Sequence, residues 1–136
     1  KNATTFSDEF MIGTCDVDLP DMLVDVKCPW NIKTFLDNIY GINPDYEWQL
    51  RGYMRLWRKP KACLFYGLMD TPEMEYITNE VQYSHLPKNE RWIAYMIERD
   101  EAIEQKIITR VLQCREWLDD YDKLVKSMIG KIHNPC

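Results

Sequence analysis

Hydrophobic residues change their spacing several times along this chain, and each spacing predicts an element. Glu9 to Val17 (EFMIGTCDV) and Met22 to Cys28 (MLVDVKC) are rich in apolar and β-branched residues, with the turn-forming Leu19-Pro20-Asp21 between them. They predict a β-hairpin. Past a break at Pro29-Trp30-Asn31, Ile32, Phe35, Leu36 and Ile39 recur at helical spacing and predict a short amphipathic helix ending near Tyr40. Gly41-Ile42-Asn43-Pro44 interrupts it. Asn43 or Asp45 can cap the next helix, whose apolar stripe of Tyr46, Leu50, Met54 and Trp57 runs to about Arg58.

Ala62 to Met69 (ACLFYGLM) is a continuous apolar run of the length expected for a strand buried on both faces, and it reads as the last core strand. Glu75 to Tyr83 alternates weakly and predicts an additional edge strand. From Asn89 to about Ile129 the apolar positions Ile93, Ile97, Ile103, Ile107, Val111, Cys114, Leu118, Tyr121, Val125 and Met128 step by threes and fours, with a break at Asp100. This predicts one long helix or two, lying along the domain's own sheet rather than in a coiled coil. The order strand, strand, helix, helix, strand, helical tail implies an α/β fold with a central mixed sheet flanked by helices.

Composition narrows the class. The 136 residues, 46% hydrophobic, suit a single domain with a core over about 9–70 and a helical part over about 89–129. No apolar run approaches the roughly 20 residues of a membrane-spanning helix, so a soluble protein is expected. Lys1 to Ser7 has no leader-like apolar core, and the start reads as truncated. Cys15, Cys28, Cys63, Cys114 and Cys136 are widely spaced and odd in number, which fits reduced thiols in a cytoplasm and neither zinc nor an iron-sulfur cluster. The net charge of −5 means that contact with nucleic acid must come from a local basic patch or from cations held by carboxylates.

Side chains alternate faces along a strand, so Asp25 and Lys27 point one way and Val24, Val26 and Cys28 the other, which predicts one polar face and one core face. In the preceding strand Asp16 leaves on the side opposite Cys15 and Val17, and a turn at Leu19 to Asp21 brings it beside Asp25. Two carboxylates and an ammonium then converge. Hard divalent cations take few carboxylates together with water and phosphate oxygens, and Asp16 with Asp25 offers that set. Such an ion polarises a phosphoryl oxygen and acidifies its bound water, while Lys27 would stabilise transition-state charge or position the attacking water. An isolated D-x-K triplet also suits a solvated strand face. The apolar flanks argue instead for a central strand, where charges need partners or a ligand.

Gly13-Thr14-Cys15-Asp16, then Asp25-Val26-Lys27-Cys28-Pro29, then Gln49-Leu50-Arg51-Gly52-Tyr53-Met54 on the following helix resemble the PD-(D/E)XK nucleases, most of all the phage lambda-type alkaline exonucleases called YqaJ-like. The resemblance covers Phe10 to about Met69 well and the helical tail loosely. It implies Asp16 and Asp25 as ligands of Mg²⁺ or Mn²⁺, Lys27 as the catalytic lysine, and Gln49 as the glutamine that contacts the active site or DNA. It further implies DNA as substrate, a homo-oligomer, a single-strand annealing partner protein, and the cytoplasm of a bacterial or phage-infected cell. Two features depart from the family pattern: the acid on a helix before the first strand is missing, and Asp25 stands where many of these exonucleases carry Glu.

Gln49 and Tyr53 at i and i+4 share a helix face beside the apolar stripe and can look toward the site. A surface amide and a core aromatic are their ordinary alternatives. Arg51, Arg55, Arg58, Lys59 and Lys61 form a cationic cluster on and after that helix. It suits phosphate binding, with Tyr53 alongside, or a solvated helix face with a basic last turn. Trp57 belongs to the core stripe, Trp30 and Trp48 are open to base stacking or packing, and His85 and His133 lie outside any ligand spacing. The function expected is a metal-dependent deoxyribonuclease, an exonuclease before a structure-selective or restriction-type endonuclease. A non-catalytic binding or assembly module on the same fold is the rival from another class.

Overall fold

The computed structural model describes residues 2–72 and 81–132, and the chain divides into two compact units, Lys1–Asp100 and Glu101–Cys136. In the first unit a short hairpin of β1 (Phe6–Ser7) and β2 (Ile12–Gly13) precedes a four-stranded mixed sheet of β3 (Val17–Asp18), β4 (Met22–Lys27), β5 (Lys61–Gly67) and β6 (Trp92–Glu98). The strands lie in that spatial order: β3 pairs antiparallel with β4, β4 parallel with β5, and β5 antiparallel with β6. The parallel pair needs a crossover, supplied by α1 (Ile32–Leu36) with its 3-10 extension Asp37–Tyr40 and by α2 (Pro44–Trp57).

α2 forms where its start signals coincide. Asn43 takes the N-cap position and accepts a hydrogen bond from the Asp45 amide, Pro44 occupies the first turn, and Asp45 and Glu47 place negative charge there. The helix stops at Arg58, which adopts the left-handed conformation (φ 54°) and returns its amide to the last carbonyls. Leu50, Met54 and Trp57 are buried against Leu23 of β4 and Ala62, Leu64 and Tyr66 of β5, forming the core. β1 and β2 rest on the same helix, with the Phe6 ring 4.7 Å from that of Trp57.

Three expectations are corrected here. The predicted first strand is split: β2 pairs with β1, and only Val17–Asp18 pairs with β4, because the Asn2 amide binds the Asp16 carbonyl and the Asn2 side chain binds Cys15. β5 is not the last core strand. Trp92–Glu98 is β6 rather than helix, since Ile93 and Ile97 are spaced by four, an even number that keeps them on one strand face with Tyr95 between them. The predicted edge strand over 75–83 falls largely outside the described residues.

The faces of the sheet are also reversed. Leu23, Asp25 and Lys27 point toward α2 and the core, whereas Val26 is 38% exposed on the other side with the half-exposed Trp92 and Met96 of β6. α2 chooses the face: its apolar stripe covers Leu23, and its preceding turns carry the polar groups that meet the end of the strand. The second unit holds α3 (Glu101–Ile132), in which Trp117 and Tyr121 stack one turn apart. No helix among the described residues is long and apolar enough to cross a membrane.

Candidate active site

Asp25 is buried at 3% exposure near the C-terminal end of β4, and its Oδ2 lies 2.7 Å from Nζ of Lys27 on the same strand face. The two are close but not aligned as a hydrogen bond, so a buried carboxylate oxygen keeps unused accepting capacity. The Lys27 ammonium offsets the cost of burying this carboxylate, and the same oxygen retains a lone pair for a further cation. Asp16 approaches from the hairpin. Extending the Val17–Val24 register by one residue sets it opposite Asp25, and its Oδ2 accepts a hydrogen bond from the Val26 amide at 2.9 Å. This fixes one oxygen to the strand that carries Asp25 and Lys27.

α2 supplies the other wall. Gln49 accepts from Lys27 Nζ through Oε1 at 3.3 Å and donates through Nε2 to the Tyr53 hydroxyl at 2.9 Å, so each end of the amide has a partner of the right polarity. Tyr53 is buttressed by β2: a Cβ at Gly13 would stand 2.9 Å from ring atom Cδ1 and closer still to Cε1. Only glycine admits the ring at that depth. The structure therefore joins Asp25, Lys27, Gln49 and Tyr53 in one connected array, with Asp16 at its edge.

Two tyrosines complete the array that the hydrophobic pattern assigned to the core. The ring of Tyr46 presents its face to Lys27 Nζ, 4.4 Å from the centroid. Tyr66 pairs with Lys27 across the β4–β5 register, lies 6.3 Å from Tyr46 ring to ring, and buries its hydroxyl without an aligned partner. Burial, reinforced by Tyr46, Tyr95 and Asp25, pushes the Tyr66 phenol up to about 12, against a smaller opposing pull from the Asn43 backbone. The signal that could have located Tyr46 is its spacing of three from Gln49, which puts both on one edge of α2.

The cationic cluster does not assemble into an open patch. Arg51 binds Glu47 at 2.6 Å and the Glu98 carbonyl, Arg55 pairs with Asp8, Lys59 holds Asp18 at 2.7 Å with the Leu19 and Pro20 carbonyls, and Lys61 pairs with Asp21 at 3.0 Å. Of the acids that claim these cations, Asp8 and Asp21 stand in the β1–β2 and β3–β4 turns, Asp18 ends β3 and Glu47 lies on α2, so charges clustered in sequence are neutralised one by one. The Lys61 ammonium in turn holds the Asp21 carboxyl below its ordinary value. Arg58 is exposed and has no ion pair among the described residues. Trp30 is 94% exposed, three residues beyond Lys27, whereas Trp57 is buried.

No group of three or more His, Cys, Asp or Glu suited to a metal occurs among the described residues. Asp16 and Asp25, opposite each other in the extended β3–β4 register, are carboxylates of the kind a hard divalent cation takes together with water and substrate oxygens, and such an ion would share Asp25 Oδ2 with the Lys27 ammonium. Cys15 and Cys63 are buried free thiols, and burial pushes both up from the ordinary value.

No family model and no curated protein matches the chain. Solved structures do. A phage-related exonuclease from Haemophilus somnus 129PT superposes with a TM-score of 0.75 and 26% identity over 94% of this chain and 62% of its own. An alkaline exonuclease (LHK-Exo) from Laribacter hongkongensis gives 0.70 and 18% over 97% and 63%, and LHK-Exo in complex with dAMP gives 0.59 and 20% over 90% and 52%. The chain thus spans less than two thirds of each of these proteins.

Proposed function

We propose that this chain, which has the fold of the phage-related and alkaline exonucleases and thus of the PD-(D/E)XK superfamily, hydrolyses DNA phosphodiesters with the help of Mg²⁺ or Mn²⁺. The observation that carries the reading is the Asp25–Lys27–Gln49 array, built from one strand and one helix with Asp16 alongside. A divalent ion bound by Asp16 and Asp25 supplies Lewis acidity toward a phosphoryl oxygen and a water acidic enough to act near neutral pH.

The chain's own residues do the rest. Lys27 offers its ammonium to the charge that grows on the phosphoryl oxygens, an interaction strengthened by the water-poor surroundings of Asp25. Gln49 holds that ammonium from the helix side, and Tyr53 holds Gln49. Arg58 is the cation of the cluster best suited to a DNA phosphate, since the others already serve acids of the domain. The dAMP complex of one similar structure supports a deoxynucleotide chain as substrate, and exonucleolytic action follows the character of these neighbours. A homo-oligomer and a single-strand annealing partner protein belong to the same proposal.

Linear and covalently closed DNA, each incubated with Mg²⁺, test it. Wild type should degrade the linear form and spare the circle, and Asp25→Asn should abolish the activity. Cutting of the closed circle would move the assignment to an endonuclease. Equal signal from wild type and Asp25→Asn would remove the site from the reaction.

A further inference from the structure

Lys27 has three contacts in three directions: the Asp25 carboxylate at 2.7 Å, the Gln49 amide oxygen at 3.3 Å, and the ring face of Tyr46 at 4.4 Å. The first is exposed to competition. If Asp25 serves a divalent cation, the carboxylate's charge is shared and its hold on the ammonium weakens. The contact with Gln49 is longer and neutral. The third cannot be taken over in this way, because the negative face of an aromatic ring attracts an ammonium without offering a lone pair to a hard metal.

We infer that Tyr46 is a positioning residue for Lys27, its ring face keeping the ammonium at the site when the Asp25 carboxylate is engaged elsewhere. The ring is well mounted for this. Tyr46 projects from the first turns of a capped helix and packs partly buried against the core, with Tyr66 behind it at 6.3 Å and tilted by 55°. Tyr66 in turn meets Tyr95 edge-on at 88°, and the Tyr95 hydroxyl is tied to the Asn38 carbonyl. Three rings therefore fix the face that Lys27 sees. The ring is what matters: the Tyr46 hydroxyl has no part in the contact, so phenylalanine should suffice.

This rests on the nuclease reading for the role of Lys27 but not for its geometry, and the test separates the two. Peptide-resolved acylation of the protein in saturating Mg²⁺ without DNA, by a trace of an amine-reactive acylating agent, measures how tightly Lys27 is held, without requiring activity. Tyr46→Phe should label Lys27 at the wild-type rate. A trifluorinated phenylalanine at position 46 keeps the shape and cancels much of the ring's quadrupole, so Lys27 should label several-fold faster and other lysines should not change. With DNA and Mg²⁺, the fluorinated protein should lose roughly 5- to 30-fold in kcat, the equivalent of a 1 to 2 kcal/mol contact, with KM for DNA within about twofold. Tyr46→Phe should rescue kcat.

Equal Lys27 labelling in all three proteins would overturn the inference, whatever the activity. A changed labelling rate in a protein whose wild type degrades no DNA would sustain the positioning role and overturn the nuclease reading instead. Tyr46→Met, of similar bulk but without a ring, should behave as the fluorinated protein does. If it matched Tyr46→Phe, the ring would have no special part.

Discussion

Nζ of Lys27 on β4 lies 3.3 Å from Oε1 of Gln49 on α2, 22 residues further along the chain. A hydrogen bond to a charged group contributes about 1.5 to 3 kcal/mol, and the same amide is oriented from its other end by Tyr53 at 2.9 Å. Gln49→Leu should therefore lower kcat for DNA hydrolysis by roughly 10- to 150-fold. Tyr53→Phe alone should cost less, and the double variant should lose little more than Gln49→Leu. Fully additive losses in this double-mutant cycle would mean that Tyr53 acts independently of Gln49.

Gly13 should tolerate no side chain. The Cβ added by Gly13→Ala would press on the Tyr53 ring, which is held between β2 and α2 and cannot swing away freely. Overpacking of this kind costs about 1 to 3 kcal/mol, read as a lowered urea midpoint. Adding Tyr53→Leu to Gly13→Ala should recover part of the loss, which a general backbone effect would not allow.

Tyr66 gives the fold an alkaline limit. Its phenol ionises near 10 in the unfolded chain and at about 12 in the folded one, so the folded state favours the neutral form. The corresponding stability is complete below pH 10 and is lost as pH rises from about 10 through 12. The loss is on the order of 2 to 3 kcal/mol. Tyr66→Phe should flatten the fall in denaturation free energy over that window and, having no buried hydroxyl to satisfy, should cost little near pH 7. An unchanged alkaline limb would assign the loss to other groups.

Arg58 should trade stability against binding. It occupies a left-handed backbone position at φ 54°, where glycine is unstrained and other residues cost energy. Arg58→Gly should therefore raise unfolding free energy by up to about 1 kcal/mol while weakening DNA binding and lowering the slope of log K against log salt by about one. Lys59→Gln should do the reverse, losing stability through Asp18 and the turn carbonyls with little change in salt slope. Equal salt slopes for both variants would place the DNA elsewhere.

How much of this was written in the sequence differs from element to element. The α2 stripe, the Asn43 cap and the β5 run were legible because each is a local pattern with its own physical cause. β6 was not, since Ile93 and Ile97 satisfy a helix and a strand equally, and only pairing with β5 decides. The convergence of Asp25, Lys27 and Gln49 was accessible through the motif, but which way the pair faces depends on where α2 lands. The loss of the cationic patch was invisible for another reason: Asp8 and Asp18 stand 47 and 41 residues from the cations they neutralise, beyond any local rule. Tyr46 was counted as apolar, and its electrostatic face emerged only with the ammonium above it.

The parallel pairing of β4 with β5 bears on when the proposed site assembles during folding. Lys27 ends β4 and Gln49 lies on α2 within the crossover, which closes only when residues nearly forty positions apart align as Met22 with Lys61 and Lys27 with Tyr66. Closing such long loops is the slow part of folding. A chain that has formed α2 and the β3–β4 turn but not this pairing has the ingredients of the site without its geometry. Activity should thus appear late in refolding, together with the burial of Tyr66, leaving the partly folded chain unable to attack DNA.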